Sequence, residues 1–94
     1  MKALAHKVAW ITGAAGGVGE AATLALAGAG AAVVLTGRRP EPLEALALRV
    51  RAQGGEALVA PGDVAIAATA ERIAPLIAGW KGRLDILVNN AGTN

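Results

Sequence analysis

The chain has no serine, no tyrosine, no phenylalanine and no cysteine in its 94 residues. Without cysteine there is neither a disulfide nor a thiolate metal site, which fits a reducing cytoplasm. Without serine, cysteine or tyrosine, the usual hydroxyl and thiol nucleophiles and the phenolic proton donor are missing. The five threonines do not replace them, because Thr12 and Thr36 end strands, Thr23 and Thr69 lie on helices and Thr93 is terminal. Aromatic residues are reduced to Trp10 and Trp80, so nothing interleaves for base stacking. Nine basic residues stand against seven acidic ones, a net charge of +2, and apart from Arg38-Arg39 they are scattered. That balance argues against a nucleic-acid partner. A chain with these gaps is better suited to binding a nucleotide than to performing chemistry on one.

Long apolar runs need the same scrutiny. Lys2 to Lys7 followed by Val8-Ala9-Trp10-Ile11 has the outline of a short signal peptide, and the uncharged run 21–37 has that of a membrane span. A span needs about 17–25 residues, and Gly28 and Gly30 interrupt this one. Val33-Val34-Leu35 has the β-branched character of a strand buried on both faces, which is apolar throughout. No membrane association is expected.

What is present is an alternating pattern. Lys7–Thr12 reads as a strand. Val18 to about Ala27 reads as a helix with Val18, Ala22 and Ala25 on its packing face, ended by Gly28 or Gly30. Ala32–Thr36 is a second strand and Gly37-Arg38-Arg39 a loop. Pro40 opens a second helix, with Glu41 and Glu44 at its positive end. Its stripe is Leu43, Leu46, Ala47 and Val50, and Gly54-Gly55 stops it. Glu56–Ala60 is a third strand and Pro61-Gly62-Asp63 a turn. A third helix over Ile66 to about Ala78 carries Ile66, Ala70, Ile73 and Ile77, with a kink or break near Ala74 imposed by Pro75. Leu84–Val88 is a fourth strand. The order βαβαβαβ with short connections predicts a parallel sheet with right-handed crossovers. Residues 1–94 read as a partial domain, cut after a fourth strand whose apolar edge has no cover.

Candidate binding residues cluster in the connections. The turn Thr12-Gly13-Ala14-Ala15-Gly16-Gly17-Val18-Gly19 lies between a strand and a helix. Glycines there permit a tight turn, close approach of a pyrophosphate, and close helix–strand packing. The helix N-terminus behind them supplies partial positive charge and unpaired N–H groups. In dinucleotide folds an acid about 20 residues further on bonds the ribose 2′-hydroxyl. Here the second strand ends in Thr36-Gly37-Arg38-Arg39, where Arg38 can fork onto a 2′-phosphate, so NADP(H) is favoured over NAD(H). Asp63 and Val64 follow the third strand, where Asp63 can accept from an adenine amino group, cap the next helix, or do both. Asn89-Asn90-Ala91-Gly92 follows the fourth strand. The Asn side chains can bridge strand ends, and Ala91 and Gly92 let the backbone come close to a ribose. His6 stands alone, without a second metal ligand. Trp10 and Trp80 read as packing residues, and Asp85 as a polar group among Leu84, Ile86 and Leu87.

Together, Thr12-Gly13-x-x-x-Gly17-x-Gly19, Asp63 and Asn89-Asn90-Ala91-Gly92 resemble the short-chain dehydrogenase/reductase family over the whole chain. The resemblance implies a Rossmann-like α/β/α fold with strand order 3-2-1-4 and an NAD(P)-dependent interconversion of alcohols and ketones. It implies that Gly13, Gly17, Val18 and Gly19 line the pyrophosphate. By the same resemblance Thr12 and Asn90 hold the turn and central sheet, Asp63 and Val64 meet the adenine, and Asn90, Ala91 and Gly92 approach the nicotinamide ribose. Arg38 resembles the NADP-preferring branch, which includes many 3-oxoacyl-carrier-protein reductases. A full-length parent is expected to be a homo-oligomer. Family members use a Ser and a Tyr-x-x-x-Lys that this chain lacks, so no catalytic residue is assigned and no turnover is expected from these residues alone. The expectation is an N-terminal fragment of an NADP-preferring oxidoreductase; the alternatives are a non-catalytic nucleotide-binding or interaction module and a product that does not stay folded.

Overall fold

The computed structural model describes residues 2–90. The elements are β1 (Val8–Thr12), α1 (Gly17–Gly28), β2 (Ala32–Thr36), α2 (Pro40–Ala52), β3 (Ala57–Val59), α3 (Ala67–Lys81) and β4 (Ile86–Asn89). Four parallel strands form one sheet in the order β3-β2-β1-β4. Chain direction therefore reverses its sideways progress between β1 and β4.

Alternation along the central strands sorts side chains into two cores. Ala9, Ile11, Val33 and Leu35 face α1 and α2, with Leu43, Leu46, Ala47 and Val50 packed on them. Val8, Trp10 and Val34 face α3 through Ile73 and Ile77. Because both sheet faces are covered, β1 and β2 are buried at every position, which is why they read as unbroken apolar runs. The result is three layers, with helices on both sides of the sheet.

Helices α1 and α2 end alike. Ala31 N–H reaches back to Leu26 O and Gly30 N–H to Ala27 O, and the pair Gly55→Val50 and Gly54→Arg51 repeats this after α2. These are Schellman closures, with Gly30 (φ 105°) and Gly54 (φ 87°) in the left-handed position.

Two packing expectations are corrected. On α1 the buried residues are Gly19, Thr23 and Ala27, while Val18 is 71% exposed. The helix must turn Gly19 toward the preceding loop, which rotates Val18, Ala22 and Ala25 off the contact. On α3 the buried residues are Thr69, Ile73 and Ile77, and Ile66 precedes the helix at 57% exposure. The break expected at Pro75 does not occur, since one helix runs through it to Lys81. Pro75 and Glu71 are both exposed, so the carbonyl that loses its partner can be hydrated. Elsewhere the strand limits shift slightly from the sequence expectation, β4 most, ending at Asn89 and not Val88.

Candidate nucleotide-binding cleft

Parallel strands bring all their carboxyl ends to one edge of the sheet, and the loops leaving those ends enclose a cleft of about 670 Å³. Gly13, Ala15 and Gly16 from the β1–α1 turn form one wall. Thr36, Gly37, Arg38 and Arg39 from the end of β2 form another. Gly62, Asp63, Val64 and Ala65 come from the β3–α3 loop, and Asn89 from the end of β4.

The glycine turn is organised by close backbone contact. A Cβ on Gly19 would lie 2.0 Å from the Gly13 carbonyl oxygen, so only glycine lets the first turn of α1 sit on that loop. Gly13 itself has φ 65°, a conformation other residues rarely adopt. Gly17 has the opposite surroundings, with no atom within 4 Å of an added Cβ. Gly16 is the N-cap of α1 and offers no side chain to the free amides behind it. The first N–H groups of a helix have no intrahelical partner and carry its positive end. An open approach, uncapped amides and no side chain in the way fit a pyrophosphate. Gly17, Val18 and Gly19 stand at this helix start but are not among the residues lining the cleft.

The neighbouring strand end is pinned to this turn. Thr12 Oγ1 donates to Asn89 Oδ1 at 3.1 Å and accepts from Asn90 N–H at 3.1 Å. Asn90 Nδ2 donates to Gly13 O at 3.2 Å, and Asn90 is 7% exposed. The Asn pair thus bridges β1 and β4, as its residue type suggested, with Asn90 holding the turn and Asn89 on the cleft. Ala91 and Gly92 lie outside the described residues.

Arg38 and Arg39 line the cleft, and no ion pair or hydrogen bond among the described residues engages either guanidinium. Asp63 is the one acidic residue in the lining. Its Oδ1 accepts Ala65 N–H at 3.0 Å and its carbonyl accepts Ile66 N–H. That is an Asx-type turn, and the cap of α3 is Ile66. The capping role for Asp63 is therefore corrected, because the chain needs three further residues before the helix starts. Sequence reasoning missed Gly37 and Gly62, whose main chains join two walls through Gly62 N–H to Gly37 O at 2.8 Å. A bond between two loops distant in sequence leaves no local signal.

At the opposite end of the sheet, Asp85 is structural. Its Oδ2 accepts Val8 N–H at 2.8 Å, its N–H donates to Val8 O, and Arg83 binds both carboxylate oxygens. Hydrogen bonding from Arg83, then from the Val8 amide, lowers its pKa to about 2.

Comparison with known proteins agrees with this geometry. A short chain dehydrogenase family model matches residues 7–94. The chain belongs to the short-chain dehydrogenase family. It is 41% identical over 91 residues to 2,3-dihydro-2,3-dihydroxybenzoate dehydrogenase of Bacillus subtilis, covering 97% of this chain and 35% of that one. It is 38% identical over 93 residues to a 3-oxoacyl-[acyl-carrier-protein] reductase of Synechocystis, covering 98% of this chain and 38% of the relative. A metagenomic short-chain oxidoreductase solved with NADP superposes with a TM-score of 0.90 at 40% identity, over 95% of this chain and 40% of that one. The chain thus spans about a third of the length of the curated short-chain relatives it matches. Family membership also accounts for the Rossmann-like fold, in which ligands bind outside the carboxyl ends of the strands where the strand order reverses.

Proposed function

We propose that this chain is the cofactor-binding part of a short-chain oxidoreductase that interconverts a carbonyl and an alcohol, with NADP(H) preferred over NAD(H). The observation that carries the reading is the cleft itself: a glycine turn running into the uncapped start of α1 on one wall and two unengaged guanidinium groups on another. When bound, the cofactor supplies or accepts the hydride. Gly13 and Gly17, with the amides of Val18 and Gly19, receive the pyrophosphate. Arg38 receives the 2′-phosphate, Asp63 and Val64 bound the adenine, and Asn90 with Ala91 and Gly92 approaches the second ribose. The NADP-bound relative supports the choice of dinucleotide, and the carrier-protein reductase at 38% identity supports a 3-oxoacyl thioester as one substrate class. The proton-relaying and carbonyl-orienting groups lie outside this chain, which holds neither serine nor tyrosine. Binding without turnover is therefore expected from the 94 residues alone.

Calorimetric titration of the chain with NADPH and NADH tests the reading. NADPH should bind about 10- to 100-fold more tightly, the range expected for one charged hydrogen bond, and Arg38→Ala should remove most of that difference. Equal affinities would overturn the NADP preference, and no binding of either would overturn the cofactor assignment. NADPH oxidation in the presence of a 3-oxoacyl thioester, catalysed by clean protein, would overturn the expectation of binding without turnover.

A further inference from the structure

The loops that bound the cleft converge on the end of β2. Thr36 O accepts Ala14 N–H at 3.1 Å, which holds the glycine turn. The next carbonyl, Gly37 O, accepts Gly62 N–H at 2.8 Å, which holds the β3–α3 loop. Arg38 follows immediately. The orientation of this one strand end therefore sets where three walls stand.

Thr36 is completely buried, and its hydroxyl accepts the indole N–H of Trp10 at 2.9 Å. Thr36 and Trp10 are on adjacent strands and share the α3 face of the sheet, since Trp10 pairs with Val34 and Thr12 with Thr36. The body of the indole is fixed among Val34, Ile73 and Ile77, with Trp10 only 8% exposed. Strand formation by itself asks for no hydroxyl at this position. A valine has nearly the same shape and would continue the apolar run of β2. A buried indole N–H requires a partner, and here that partner is the residue at the base of the arginine loop.

We infer that Trp10 is a positioning residue for the adenosine-phosphate end of the cleft, acting through the Thr36 hydroxyl on the strand end that carries Gly37 and Arg38. Trp10 does not line the cleft, so it acts at one remove. The inference rests on the cofactor reading above.

The test compares affinities for NADPH and NADH in Trp10→Phe, which keeps an aromatic ring but removes the donor, and in Thr36→Val, which removes the acceptor. Each should weaken NADPH by about three- to tenfold, the worth of a neutral hydrogen bond, while changing NADH by less, so that the ratio falls. The double variant should lose no more than the larger single loss, and Thr36→Ser should retain the ratio. Ile77→Val, in the same core, should lower thermal stability and leave the ratio alone. In the unchanged chain, the indole N–H resonance of Trp10 should shift on addition of 2′,5′-ADP while that of Trp80 does not. An unchanged ratio in folded Trp10→Phe or Thr36→Val overturns the inference while leaving the cofactor reading intact. If neither variant folds, a Trp10 indole resonance unmoved by 2′,5′-ADP overturns it. Failure of the unchanged chain to bind NADPH overturns the cofactor reading, and this inference with it.

Discussion

A methyl group on Gly19 would sit 2.0 Å from the Gly13 carbonyl oxygen and 2.9 Å from the Ala14 Cα. Both are backbone atoms in a turn already fixed by Asn90 and Thr36, so the loop cannot yield without losing those bonds. Gly19→Ala should cost about 2–4 kcal/mol, in the upper part of the range for overpacking, measured by urea denaturation. Gly17→Ala, which meets open space, should cost no more than about 1 kcal/mol. Equal losses in the two variants would show that the Gly13–Gly19 contact is not what constrains the turn. Asp85 makes a prediction of a different kind. Its pKa is depressed to about 2 by Arg83 and the Val8 amide, so its contribution is fully present above the ordinary carboxylate range. That contribution is lost as pH falls from about 4 through 2. Denaturation midpoints of the chain should drop more steeply over that interval than those of Asp85→Asn. Parallel curves would show that the Arg83–Asp85 pair does not stabilise the sheet.

At the scale of elements, α3 carries a proline in its interior yet remains one helix from Ala67 to Lys81. Proline costs about 3 kcal/mol relative to alanine in such a place, but it also restricts the unfolded chain by about 1 kcal/mol. Pro75→Ala should therefore stabilise the protein by about 1–2 kcal/mol, read from the same denaturation curves; a loss of stability would mean that the proline ring makes packing contacts of its own. Elements with one dominant cause were legible in the sequence. The run Ala32–Thr36 matches β2 residue for residue, and the stripe Leu43, Leu46, Ala47, Val50 is the buried face of α2. On α3, Ile73 and Ile77 of the expected stripe are buried, but Thr69 there and the packing face of α1 were not legible, because Thr23 and Thr69 are polar by type and buried in fact. Thr23 Oγ1 donates to Gly19 O at 2.8 Å, so its hydroxyl is satisfied within the helix and can face the sheet. The cleft shows the same division. The glycine turn, Arg38, Asp63 and Asn90 announce themselves by residue type and place after strands. The Trp10–Thr36 and Gly62–Gly37 bonds arise only when the sheet brings distant segments together.

For the molecule as a whole, the sheet has two edge strands. β3 and β4 each have a single neighbour among the described residues, β2 and β1 respectively, and β4 is the more exposed of the two. Its burial alternates between intermediate and exposed, with Leu87 at 57%, and Leu84 just before it is 46% exposed. The segment Ile86-Leu87-Val88 has neither lysine nor proline, the residues that usually protect an edge. Two surface ion pairs elsewhere, Arg49–Glu20 and Lys81–Glu56, contribute at most about 1 kcal/mol each and do nothing for this edge. The chain on its own should therefore self-associate as concentration rises, through pairing or burial at β4. Leu87→Lys places a charge at a position that is 57% exposed, and should keep the protein monomeric in sedimentation velocity with little change in thermal midpoint. The cleft lies at the strand ends, so NADPH affinity should be the same in the unchanged chain and in Leu87→Lys. A monomeric unchanged chain at high concentration, or a Leu87→Lys variant that associates equally, would show that the open strand is not the adhesive surface.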